Sequence, residues 1–260
     1  MRPKATRTFL LGITLLVAAF FYVVPPISQN TAYHDFADQR TLFGIPHFWN
    51  VASNLPFVIV GFVGMRKVWR GRFQGGLPDL RANYFLFFLG LLLTGFGSAY
   101  YHLAPSNRTL VWDRLPMAVS FMAFFSAVLG ERWGGRVGRS ALAPLVLLGV
   151  LSVLYWDGTE LIGHGDLRPY LLVQFLPMLL LPVLLLGFPS AVTGSGYVWA
   201  VLAWYTVAKI FEWQDAAVLQ VLGRFGGHSL KHVSAAAAGY VFLLALKRRH
   251  FNGTSRAAGR

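Results

Sequence analysis

Apolar runs long enough to cross a bilayer follow one another along almost the whole of this chain. A hydrocarbon core of roughly 30 Å takes about 20 residues at 1.5 Å of rise each. No water is available there to satisfy backbone N–H and C=O groups, so unbroken apolar runs of this length must be helices. The expected class is therefore all-α, a polytopic membrane protein, with little chain left for a soluble domain. The runs lie at residues 9–24, 48–65, 84–102, 113–129, 142–156, 170–188, 197–211 and 230–246, predicting eight crossings. Arg2, Lys4 and Arg7 precede the first and Pro25-Pro26 ends it; with no small-x-small cleavage pattern before Gln29, it reads as a retained helix rather than a signal peptide. The fifth run is short, and the sixth carries Pro177 and Pro182, which buried membrane helices tolerate as kinks.

Eight crossings put both termini on one side, and the basic residues test that parity. One side collects Arg2, Lys4, Arg7; Arg66, Lys67, Arg70, Arg72, Arg81; Arg132, Arg136, Arg139; and the five Lys and Arg from Lys247 onward, whereas the other holds only Arg40, Arg108, Arg168 and Arg224. Positive charge stays cytoplasmic, so both termini are expected inside. The same distribution explains the net charge of +13 as topology and not as nucleic-acid binding, for which there is no motif.

The parity brings candidate chemistry together. His102 closes the third run, Asp113 opens the fourth, and His228 and His232 open the eighth, all at the outer boundary. A spacing of four stacks His228 and His232 on one helix face. With no cysteine in the chain, a soft-metal site must rest on His with Asp or Glu. Three imidazoles leaving one position open to water form a hydrolytic zinc arrangement, in which the ion drops the pKa of bound water toward ~7. Asp113 is placed to act as general base. Ser98, one turn before His102, is placed to donate to the oxyanion. Read one at a time, each residue has a plainer role: a hydrogen-bonded histidine, a small packing serine, a carboxylate paired with Arg114 at a helix N-terminus. Lys209, Glu212 and Asp215 lie at helical spacing and read as mutually neutralising, and His164 with Asp157, Glu160 and Asp166 as a solvated outer loop.

The segment SAYYH, an Asp eleven residues after that His, and the late HSLKH together resemble the alkaline ceramidase family, within the superfamily of seven-helix membrane hydrolases that includes the progestin and adipoQ receptors. HFWNVASNLPF resembles the acidic-Phe-Trp-Asn-x-x-Ser-Asn segment of the first core helix. The resemblance implies three parts: an N-terminal helix and outer loop over residues 1–46, a seven-helix ceramidase-like domain over 47–247, and a basic cytoplasmic tail over 248–260. It also implies zinc-dependent hydrolysis of the amide of ceramide-like lipids to a sphingoid base and a fatty acid, with His102, His228 and His232 as ligands, Asp113 activating water and Ser98 donating to the oxyanion. The family's calcium site uses acidic residues around the start of the core; here His47 stands at one of those positions, and Asp35 and Asp38 lie nearby in another pattern, which speaks against calcium.

The expected setting is a bacterial inner membrane with the site near the outer face and a ceramide-like lipid as partner. Two rival classes remain: a receptor-like or structural bundle that keeps a metal for folding, and a transporter using Lys209, Glu212 and Asp215 as a relay. Hydrolysis of another amide or ester lipid is the nearest variant.

Overall fold

A computed structural model describes residues 3–252; positions 253–260 of the expected tail lie outside the described residues. The described residues form ten α-helices: α1 Pro3–Val23, α2 Phe48–Ala52, α3 Leu55–Trp69, α4 Arg81–Leu103, α5 Asn107–Trp133, α6 Gly135–Leu161, α7 Arg168–Gly187, α8 Gly196–Trp213, α9 Asp215–Leu222 and α10 Gly227–Arg248. No strand occurs among the described residues. Six stretches are long and apolar enough to span a bilayer: Phe48–Trp69, Pro78–Leu103, Asn107–Trp133, Gly135–Leu161, Arg168–Gly187 and Gly227–Arg248. With α1 and α8 they make eight long rods, matching the all-α polytopic architecture read from the sequence.

Several boundaries differ for local reasons. The second run is broken at Ser53-Asn54 into α2 and α3. Asn54 Nδ2 donates to the Asn50 carbonyl at 2.8 Å, occupying an acceptor that an uninterrupted helix would use. The fifth run is not short: α6 has 27 residues. It continues through Asp157 and Glu160 because Trp156 Nε1 donates to Glu160 Oε1 at 3.2 Å, four residues on, and Gln29 N reaches the same oxygen at 2.5 Å. Those two acids therefore belong to a helix and not to a loop. The short α9 was not legible as a separate element.

The α4–α5 hairpin organises the bundle. Residues 104–106 turn the chain, and a capping box starts α5: Ser106 Oγ accepts from Thr109 N at 3.2 Å while Ser106 N donates to Thr109 Oγ1 at 3.1 Å. Close backbone approach does the rest. A Cβ added at Gly97 would lie 2.0 Å from the Trp112 carbonyl oxygen, so only glycine lets α4 sit this near to α5 just above the residues that matter. Gly227 makes the equivalent approach of α10 to α8, with Phe211 O at 2.1 Å.

A large apolar core fills the inner part of the bundle around Tyr84, Phe87, Phe88, Phe124 and Phe242. At that end Arg249 is not a tail charge: it is almost fully buried and holds Glu131 with two bonds of 2.6 and 2.9 Å, while Tyr84 OH donates to the same carboxylate at 3.0 Å. Arg249 Nε also donates to Gly75 O at 3.2 Å, tying three connections together. At the opposite end Arg168 pairs with Asp166 and donates to the carbonyls of Val24 and Phe21, fastening the C-terminus of α1 to α7.

Candidate metal centre

His102 arrives from the last turn of α4, and His228 and His232 from the first two turns of α10. All three are buried. One ligand-capable nitrogen from each lies within 4.8 Å of the others. The rings stand 4.9 to 5.0 Å apart between centroids, and His102 Nε2 is 3.3 Å from His232 Nε2. Two nitrogens bound tetrahedrally at the usual zinc distance of 2.0–2.1 Å would stand about 3.3 Å apart. The donor set and its spacing thus fit a zinc-sized ion.

A surrounding shell holds these rings. Ser53 Oγ donates its single proton to the Asn50 carbonyl at 3.2 Å, which leaves it to accept from His232 Nδ1 at 2.8 Å. That bond fixes the tautomer in which Nε2 keeps its lone pair facing His102. Asp215 Oδ1 accepts from His228 N at 2.8 Å, and its other oxygen accepts from Ala37 N at 3.0 Å, so one carboxylate positions both the start of α10 and the loop between α1 and α2. Phe36, carried by that loop, packs edge-on against His102 and tilted against His228 with centroids 4.6 and 4.4 Å away. The adjacent 3-10 turn Thr31–His34 is anchored by His34, whose ring nitrogens meet Tyr101 Oη at 2.8 Å and Asn107 Oδ1 at 2.9 Å. His47 does not approach the triad by its ring; its Nδ1 donates to the His102 carbonyl at 3.0 Å. Both oxygens of Asp38 are engaged by Arg40, at 2.7 and 2.9 Å. Burial raises the Asp38 pKa, but the Arg40 hydrogen bonds and charge outweigh it and hold this carboxyl below its usual range.

Beside the triad opens a cavity of about 290 Å³ whose wall includes His232, Ser98 and Asp113. Ser98 and Asp113 face this cavity together, and Asp113 Oδ1 is buried with no hydrogen-bond partner on the protein. From Asp113 the cavity runs along α5 past Met117 and Phe121 to Phe124, eleven residues or about 16 Å. Its walls along this length are mostly apolar, with Ser120, Gln174 and Tyr205 among them, while the end beside Asp113 is polar, with Gln29, Tyr33, Arg114, Lys231 and Glu212.

The five residues singled out from the sequence therefore share one place. One plainer reading does not hold and another holds in part. Asp113 is not at a helix N-terminus, since α5 begins six residues earlier, and it makes no ion pair with Arg114. Of Lys209, Glu212 and Asp215, the first two do pair, Glu212 also pairing at 2.8 Å with Lys231, while Asp215 turns to backbone amides. Ser53, Phe36, Asp215 and Lys231 were missed. Ser53 lay inside the Trp-Asn-x-x-Ser-Asn segment, the one signal that marked it; the others depend on tertiary contacts between segments far apart in sequence.

A family model described as Ceramidase matches residues 37–164. The matched stretch takes in Ser98, His102 and Asp113 and ends before the His228–His232 pair, which the fold supplies. The match bears out the alkaline ceramidase resemblance. No curated protein matches the chain.

Proposed function

We propose that this ceramidase-family chain is an integral-membrane hydrolase that cleaves the amide of ceramide-like lipids with a zinc ion held by His102, His228 and His232. The observation that carries this reading is the convergence of three buried imidazoles from α4 and α10 at the polar end of an apolar cavity that also presents Asp113 and Ser98. In the bilayer such a cavity suits an acyl tail lying along α5 with its carbonyl at the level of Asp113.

An ion held by the three histidines would supply Lewis acidity and lower the pKa of a water toward ~7. Asp113 is placed to accept a proton from the attacking water at Oδ1, which has no protein partner competing for the lone pair. Ser98, in the same cavity wall, is placed to donate its hydroxyl proton to the oxyanion. Asp113 then returns the proton to the leaving amine. Phe36 covers the histidines from outside, and the apolar walls keep bulk water from the tail.

The test is metal content and turnover of detergent-purified protein prepared without a polyhistidine tag. Near-stoichiometric zinc in the native protein, lost in folded His102→Ala and His228→Ala, together with amide hydrolysis of a ceramide that disappears in both, is the expected result. Native protein that is folded yet binds no zinc would overturn the mechanism. A domain division at residues 47–247 and an outward-facing site belong to the same proposal; cysteine accessibility at Phe43→Cys against Trp69→Cys in sealed vesicles tests the sidedness, both side chains being exposed at opposite ends of the bundle.

A further inference from the structure

Of the charged side chains in the cavity wall that the hydrolytic mechanism leaves unused, Lys209, Glu212 and Lys231 pair with one another and Arg114 pairs with none. It is only 6 % exposed and has no carboxylate within ion-pair distance among the described residues. Its guanidinium lies over Trp156 at 4.1 Å and Tyr170 at 4.8 Å, with Tyr33 at 5.7 Å. Nη2 donates to Gln29 Oε1 at 2.6 Å, a neutral acceptor, and Nη1 is buried with no protein partner. A guanidinium offers five donors in a fixed fork. Aromatic faces hold the cation but satisfy none of those N–H groups.

Charge in the cavity wall points the same way. Arg114, Lys209 and Lys231 face two carboxylates, Asp113 and Glu212. Glu212 is already shared by both lysines and also accepts from Tyr33 Oη at 3.2 Å. Asp113 is reserved for the reaction. Among the described residues no carboxylate pairs with Arg114, although buried charges are normally paired.

The position says which half of a substrate would do so. The apolar length of the cavity leads inward from Asp113, so an amide lying there sends its acyl tail toward Phe124 and its amine half toward Arg114, Tyr33 and Gln29. The geometry points to a substrate class narrower than a neutral ceramide: amide lipids whose amine half carries an anionic group, a carboxylate or phosphate, gripped by Arg114. This inference rests on the hydrolase reading for the direction of the bound lipid.

The experiment compares N-palmitoylglycine with N-palmitoylethanolamine, which share tail and amide and differ in a carboxylate against a hydroxyl, with palmitate as a third ligand. Binding is read from tryptophan fluorescence on chelator-treated native protein, where turnover is absent, and kcat/KM on the zinc-loaded protein. A charge-assisted bond in a buried site predicts at least about tenfold tighter binding of the acylglycine. Arg114→Gln should bring the ratio to about one, and Arg114→Lys, which keeps the charge but not the fork, to an intermediate value. A native ratio near one, or a preference that survives Arg114→Gln, overturns the inference. So does tighter Arg114-dependent binding of palmitate than of acylglycine, which would make this the seat of the product's carboxylate. If Arg114→Gln fails to fold, the native ratio and Arg114→Lys decide. Preference without hydrolysis would strike at the hydrolase reading alone, and hydrolysis without preference at this one alone.

Discussion

Removing the hydroxyl of Ser53 should loosen the metal without touching a ligand. Ser53 Oγ is 2.8 Å from His232 Nδ1 and passes its own proton to Asn50 O, so it can only accept there. In Ser53→Ala the Nδ1–H is left buried and unpaired, a cost of about 1–3 kcal/mol. That cost falls on both the metal-free and the loaded protein, so by itself it lowers the melting temperature rather than the affinity. Affinity falls because the ring loses its fixed tautomer and orientation: outer-shell substitutions of this kind cost roughly 10–100-fold, or about 1.4–2.8 kcal/mol. The two effects are separable. Zinc affinity is read by competition with a chromophoric chelator in detergent at fixed pH, and folding by helical circular dichroism and thermal melting. Ser152→Ala is the control, because Ser152 is buried and its Oγ bonds only to Gly149 O in its own helix. A folded Ser53→Ala that keeps its zinc affinity within about twofold of the native protein would refute the argument that Ser53 sets the His232 tautomer.

Asp113→Asn should retain zinc and lose turnover by about 10²–10⁴-fold, measured under single-turnover conditions; full activity would remove Asp113 from the mechanism. At the end of the bundle far from the histidines, Glu131→Ala leaves the Arg249 guanidinium buried and unpaired and should lower stability by about 3–5 kcal/mol in a denaturant titration, with metal affinity unchanged. At the other end, hydrogen bonds from Arg168 hold the Asp166 carboxyl below its ordinary range. A depressed folded-state pKa contributes stability that is present above the unfolded value near 4 and is lost as pH falls through the folded value. Acidification below about pH 4 should therefore release α1 from α7, seen as faster proteolysis of the α1 junction, and Asp166→Asn should show that susceptibility already at neutral pH.

The helix runs and the charge bias made the bundle legible because both are imposed by the bilayer, which acts on every segment alike. His102, Asp113, Ser98 and the histidine pair were legible for a different reason: ionisable groups at the edge of an apolar run are expensive, and parity placed them at one level. What stayed hidden was pairing. From sequence, Arg114 beside Asp113 suggests an ion pair, but neighbours along a helix point about 100° apart, and Arg114 reaches the ring of Trp156 on α6 instead. Asp215 follows Glu212 at helical spacing, yet the helix breaks at Gln214 and sends its carboxylate to His228 N. The break at Ser53-Asn54 was hidden too, although the side chains that cause it stand in the motif itself.

Buried polar atoms without a protein partner stand at both ends of the bundle, so such atoms locate function only through what surrounds them. At one end Asn83 Oδ1, Arg132 Nε and Trp133 Nε1 lack a partner beside the closed network in which Glu131 meets Arg249 in a bidentate pair with Tyr84 on one oxygen. At the other end Asp113 Oδ1, Arg114 Nη1 and His102 Nδ1 lack one too. What sets the second group apart is place: Asp113 and Arg114 line one cavity, and His102 belongs to the triad beside it. Unpaired buried groups lower stability wherever they stand. An ion, a water and the polar half of a lipid would supply what the protein withholds around the cavity, and the energetic cost of waiting for them is what a binding site of this kind exacts from the fold.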